Sequence, residues 1–199
     1  MAQFRGQFEV LKELKQSTVF VGSPILSINV ETINIDRSEG YYIAPSYRAS
    51  LKHLKSAAQF IQGSRVVVKK VVYDMEDNLN FNGITIVPVR HINLESDHKN
   101  MLGAIITLDS RVRGTGWFND AIKYRIPIIT TNDNASYIFS EIFPNYPFID
   151  LNKINSQSDF DKKVREALNF NPAEYVKNHN FDFKQKFIFC CQSVGWYKP

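Results

Sequence analysis

Two stretches of this sequence combine residue types able to grip a phosphorylated ligand. The first is Arg113-Gly114-Thr115-Gly116, set between an apolar run (GAIITL) and a helix-like run (WFNDAIKY). Two glycines in a strand-to-helix connection let backbone N–H groups approach a phosphate, and the helix N-terminus adds partial positive charge. A plain tight turn would use the same glycines. Asp120 lies one helical turn beyond Gly116. A carboxylate there can accept hydrogen bonds from both hydroxyls of a ribose, or can simply favour the helix dipole. The second stretch holds Arg48 and Lys52, at i and i+4 across the expected start of a helix. Both heads are expected to face one strand-end crevice, where a guanidinium fork and a point charge suit a diphosphate. A solvated helix start is the alternative.

Other candidates are weaker. The acidic run Asp74-Met75-Glu76-Asp77 reads as solvated turn carboxylates rather than a magnesium site. His91 follows an apolar strand and could meet a base or sugar, but reads first as structural. Glu141 is a generic helix carboxylate, and His53 and Lys55 read as surface residues. Cys190 and Cys191 are adjacent, a poor geometry for bridging, and no His cluster stands nearby to complete a zinc site. They read as structural cysteines in a buried tail. No Ser-His-Asp series and no phosphate-binding GxxxxGK[ST] motif occurs. Neither a metal nor a resident cofactor is implied.

These residues need a scaffold, and the hydrophobic pattern supplies one. From residue 41 onward, short apolar runs (YYIAP, RVVVKKVVY, ITIVPV, GAIITL, IPIITT and a brief one in PFIDL) alternate with helical patterns. SLKHLKSAAQFIQG places Leu51, Leu54, Ala58 and Ile61 on one face, and Gly63 ends that helix. TGWFNDAIKYR, ASYIFSEIF and SDFDKKVREALN read as further helices, and a turn is expected at Asn82-Gly83. Strands alternating with helices give βαβ units and a parallel sheet. The expected fold is therefore α/β: a Rossmann-like, doubly wound, mostly parallel sheet of about six strands with helices on both faces. Ligands in such sheets bind at the carboxyl ends of strands where the winding reverses. That rule directs attention to the connections after Ala44, Leu108 and Thr130.

Three regions are expected. Residues 1–40 form a short helix (7–15), two extended segments (TVFVG and PILSINV) and a polar loop. Residues 41–170 form the Rossmann-like domain. Residues 171–199 form an aromatic tail, with a helix entered through Pro172. Its Phe181, Phe183, Phe187 and Phe189 call for packing against the domain or a partner. The apolar fraction of 44% and charged fraction of 22% are ordinary for a globular chain. No run approaches the roughly 20 apolar residues of a membrane span, and no secretory leader is evident, so a cytoplasmic protein is expected. The net charge of +4 favours phosphate contacts without demonstrating nucleic-acid binding.

The run RGTGWFNDAIKYRIPIIT resembles the donor-binding half of glycosyltransferases of the GT-B fold, which carry a glycine loop, a Glu-Ala helix and a G-x-P-V-I strand entry. Gly114 and Gly116 match the loop glycines, Asp120-Ala121 takes the place of Glu-Ala, and Ile126-Pro127-Ile128-Ile129 matches the strand entry. YYIAPSYRASLKHLKSAAQFI is similar to that family's strand, Arg, Lys and helix element, with Arg48 and Lys52 at the matching positions. The resemblance implies a nucleotide-diphosphate sugar as ligand. Arg48 and Lys52 would meet the diphosphate, Arg113, Gly114, Thr115 and Gly116 would lie against the donor, and Asp120 would hold the ribose. The closing NHNFDFKQKF also resembles the end of phage DNA α-glucosyltransferases, which points to DNA as a conceivable acceptor and to a viral or phage setting. Several departures stand out. Arg113 occupies the usual Glu position, Asp120 is shorter than Glu, the spacings differ by one residue, and the acceptor-binding N-terminal half has no counterpart in 1–40. A second chain or second copy would then supply the acceptor wall.

Two other classes fit the same residues. FVGSP and GTGW…RIPII have some likeness to nucleoside deoxyribosyltransferases, whose chemistry needs a carboxylate nucleophile near the GTGW helix, a role open to Asp120. A non-catalytic nucleotide-binding viral or phage accessory module would leave the same degenerate motifs.

Overall fold

Runs of Val, Ile and Tyr too short for helices build one twisted sheet in a computed structural model of the chain. It describes residues 24–25, 40–45, 51–108 and 116–193. Seven strands hydrogen-bond in the order β3-β4-β2-β1-β5-β6-β7. They are β1 (Tyr41–Ala44), β2 (Arg65–Lys69), β3 (Leu79–Phe81), β4 (Ile84–Val89), β5 (Met101–Ile106), β6 (Ile128–Thr130) and β7 (Ile149–Asp150). All pairings are parallel except β3 with β4. Numbering the six parallel strands in chain order gives 3-2-1-4-5-6, the Rossmann order, with the winding reversing between β1 and β5. The expected α/β class holds. The expected N-terminal helix and extended segments lie outside the described residues apart from Pro24, Ile25 and Gly40.

The helices cover both faces. They are α1 (Leu51–Ala58), α2 (Lys70–Tyr73), α3 (Leu94–Asp97), α4 (Trp117–Lys123), α5 (Asp133–Ile142), α6 (Gln157–Asn169) and α7 (Pro172–Ser193). On one face Leu54, Ala57 and Ala58 of α1 and Phe160 of α6 bury Val66, Val68, Ile84, Ile86, Ile105 and Ile129. Phe60 and Phe160 stack with centroids 5.2 Å apart, joining α6 to the end of α1. On the other face α4, α5 and the first half of α7 bury Ile43, Ala104, Ile106 and Ile128. Gly103 lets the strands meet, because a Cβ there would sit 3.0 Å from Ile129 Cδ1 and 3.3 Å from the Pro127 carbonyl.

Two elements differ from the sequence pattern. RVVVKKVVY is not one strand: the β2 ladder stops at Lys69, opposite Val89, and the chain turns into the single-turn α2. The turn drops Tyr73 into the core beside Val66 and Val68. Asp74 then takes a left-handed conformation (φ 50°) as the C-cap, and Lys70 pairs with Glu76. The stretch between Asp77 and the Asn82-Gly83 turn, where the sequence pattern marks no strand, holds one: Leu79–Phe81 pairs antiparallel with β4 at the sheet edge. Asn82 and Gly83, both at positive φ (48° and 81°), make the hairpin turn that Asn-Gly favours.

The described part of the tail, through Ser193, is one continuous helix. Asn171 caps α7 by accepting from Ala173 N, and Pro172 takes the first helical position. Its first half is tied into the core, with Val176 buried and Tyr175 and His179 packed on Tyr146 and Phe143. Asn180 grips Ile25 twice, its Nδ2 donating to the carbonyl at 2.6 Å and its Oδ1 accepting the N–H at 2.8 Å. Beyond it, Cys190 is buried and both cysteines are free thiols, while Phe181 and Phe189 stay exposed. No described helix is long and apolar enough to cross a membrane.

Candidate functional site

The switch point between β1 and β5 decides where the candidate residues fall. β1 runs to Ala44 and a buried Pro45, and the chain re-enters the described structure at Leu51. Arg48 therefore lies outside the described residues, in the connection leaving β1. Lys52 is exposed in the first turn of α1, away from the face formed by Leu54, Ala57 and Ala58. It lines a polar groove of about 570 Å³ with Lys55, Ser56, Gln59, Gln62 and Asn82. Gln62 fixes the far end of that groove by donating to the Ala58 and Asn82 carbonyls at 2.8 and 3.0 Å.

β5 leaves the sheet through Thr107 and Leu108, and the chain reappears at Gly116. Arg113, Gly114 and Thr115 fall outside the described residues. Gly116 is the N-cap of α4 with φ −59°, a conformation open to any residue, and a Cβ there would meet nothing within 4 Å among the described residues. A positive-φ turn is thus not the reason for glycine at 116. Asp120 N donates to the Gly116 carbonyl at 3.1 Å, tying the first turn of α4 to the connection. The Asp120 side chain is half-buried, and burial pushes its carboxyl above the ordinary Asp value while Lys123 opposes the shift.

Two residues of this edge carry no motif in the sequence. Lys69 ends β2, the neighbour of β1, and its ammonium lies 5.5 Å from the centroid of the buried Trp117 ring at the start of α4. That places a cation across the carboxyl end of β1. Its signal was hidden because the run VVVKKVVY reads as unbroken strand. Asn132 follows β6 and caps α5 by accepting from Ala135 N at 3.1 Å. Its Nδ2 also donates to the Leu108 carbonyl at 2.6 Å, and its Oδ1 accepts the Leu108 N–H at 3.4 Å. The Thr107 and Thr131 hydroxyls meet beside it, and Thr130 pairs with Ser136 at 2.7 Å. The Asn before a helical pattern marks a cap; its grip on a strand 24 positions away in sequence has no local sign.

The remaining candidates sit elsewhere. His91 is exposed and lines a separate cavity of about 220 Å³ on the sheet face, floored by Val67, Val87 and Val89 and edged by Tyr41, Arg65 and Asp97. Glu141 is half-buried on α5 and Lys55 is exposed in the α1 groove. Among the described residues no three His, Cys, Asp or Glu side chains gather as a metal site would require. The architecture defines a Rossmann-like α/β protein. The sequence matches no known family model and no curated protein.

Proposed function

We propose that this protein binds a nucleotide-diphosphate sugar at the carboxyl ends of β1 and β5, and transfers the sugar, or helps transfer it, to an acceptor. One observation carries this reading. The winding reverses between β1 and β5, the position where open α/β sheets take their ligands. The two connections leaving those strands are the ones that hold the Arg48–Lys52 pair and the Arg113–Gly116 run. In this scheme Arg48 and Lys52 stabilise the diphosphate as the glycosidic bond to the sugar breaks. Gly114 and Gly116 let the backbone approach the phosphates, with Arg113 and Thr115 beside them, and Asp120 orients the ribose. Lys69 adds positive charge at the same edge. A second chain or a second copy closes the cleft and offers the acceptor, DNA among the conceivable ones.

Calorimetry and thermal shift with UDP-glucose, GDP-mannose, ADP-glucose and the free diphosphates test this. At least one should bind, and Arg48→Ala should weaken it about tenfold or more, the ~1.5–3 kcal/mol of a charge-assisted hydrogen bond. Lack of binding by every member of the panel sinks the reading. Release of free base from nucleosides, read by mass spectrometry, would instead favour a deoxyribosyltransferase-like activity. Binding that is indifferent to Arg48→Ala and Asp120→Ala would leave a non-catalytic module.

A further inference from the structure

We infer that Asn132 is a positioning residue for the switch-point crevice, because its one side chain both starts α5 and fixes the backbone of Leu108 where β5 leaves the sheet. The consequence for ligand binding rests on the donor-site reading above; the grip itself does not.

The β5–β6 ladder ends with Ile106 opposite Thr130, and Thr131 N extends it once by donating to the Ile106 carbonyl. Leu108 lies beyond that last rung, with its side chain buried in the core. A carboxamide offers the same donor and acceptor as a peptide group, so Asn132 stands in for the missing strand partner by taking both the N–H and the C=O of Leu108. Asn134 Nδ2 adds a second donor to the same carbonyl at 3.4 Å. A buried side chain and a two-point backbone grip together fix the chain at Leu108, where β5 has left the sheet. Among the described residues, Asn180 holds Ile25 through the same pair of bonds. At Asn132 it is applied to a strand end flanking the reversal of winding.

Asn132→Asp separates the two tasks. Aspartate caps a helix as well as asparagine does, so the bond to Ala135 N survives. The donor to Leu108 O is lost, and a carboxylate oxygen is set against a carbonyl oxygen instead. Ser156→Ala is the control: Ser156 caps α6 beyond the sheet edge at β7, and its loss costs cap stability only. Amide hydrogen exchange on the ligand-free protein should show faster exchange across 107–118 in Asn132→Asp and none of this in Ser156→Ala. The affinity for the best nucleotide sugar of the panel should drop about tenfold in Asn132→Asp and hold in Ser156→Ala, although Ser156→Ala lowers the Tm as well. Unchanged exchange in Asn132→Asp overturns the grip. Faster exchange with unchanged affinity overturns the positioning role. If the wild-type protein binds no member of the panel, the donor-site reading falls, and the exchange result still decides the grip.

Discussion

The two flanks of the sheet, β5-β6-β7 on one side of the reversal and β2-β4-β3 on the other, solve the same covering problem with different means. Beyond β5 the connections and the tail include α4, α5 and α7, with 7, 10 and 22 residues. They build an aromatic cluster around the fully buried Phe139, whose ring lies 5.0 Å from Phe118, 5.3 Å from Phe143 and 4.9 Å from Phe148. Beyond β2 the helices α2 and α3 have only 4 residues each. One face there is filled by aliphatic residues under α1, while Val67, Val87 and Val89 on the other floor a cavity of about 220 Å³. A parallel pair needs a crossover of about a dozen residues. The connection between β2 and β4 spends part of its length on β3, which closes the edge and leaves little helix for cover. The strands specify both flanks alike; the lengths of the connections decide how well each is packed.

The contrast predicts where substitutions hurt. Phe139→Ala should be the most damaging, costing about 3–5 kcal/mol in urea unfolding, as for other fully buried aromatics. A cost under about 1 kcal/mol would show that the cluster does not hold its flank. On the other flank Gly83→Ala should cost about 1–2 kcal/mol, the penalty of a left-handed backbone at φ 81°. Its new Cβ would also fall 1.8 Å from Gln62 Oε1 and displace that side chain. A double-mutant cycle with Gln62→Ala should therefore give less than the sum of the single costs, and additivity would discount the collision.

Tyr73→Phe should change stability in the opposite direction. The Tyr73 hydroxyl is buried and meets no hydrogen-bond partner among the described residues. Burial pushes its pKa well up. Removing it should raise stability by about 1 kcal/mol, and a loss instead would mean the hydroxyl is satisfied. The smallest effect concerns pH. Asp120 has a raised folded-state pKa, first through burial. The folded protein thus holds that proton more tightly than the unfolded chain. This contribution is full below the ordinary value of 3.8 and is lost as pH rises through the raised one. Asp120→Asn should flatten the fall of Tm with rising pH in that window, and an unchanged slope would assign it to other groups.

Most of the scaffold was legible in the chain. The alternation of YYIAP, RVVVKKVVY and GAIITL with helical patterns requires parallel βαβ units, and the Asn82-Gly83 turn follows from two residues that tolerate positive φ. The pattern failed at KVVY and at LNF, for one reason. Short apolar runs suit a strand or a helical turn equally, and the choice falls to whichever neighbour has a free ladder or an open core. β2 ends at Lys69 because β4 ends opposite it at Val89, and Tyr73 fills the space beside Val66.

The residues that could carry chemistry divide in the same way. Side-chain chemistry, helix caps and alternating periodicity are local properties, so the sequence by itself determined the α/β class, the strand ends worth inspecting, and Asp120 one turn into its helix. Tertiary structure alone decided that the winding reverses between β1 and β5, and that Lys69 reaches Trp117 across the end of β1. It alone bound Asn132 to Leu108, 24 positions away. Such contacts depend on strand order and on where each ladder stops, which are set by packing across the whole sheet and leave no trace in the spacing of neighbouring residues.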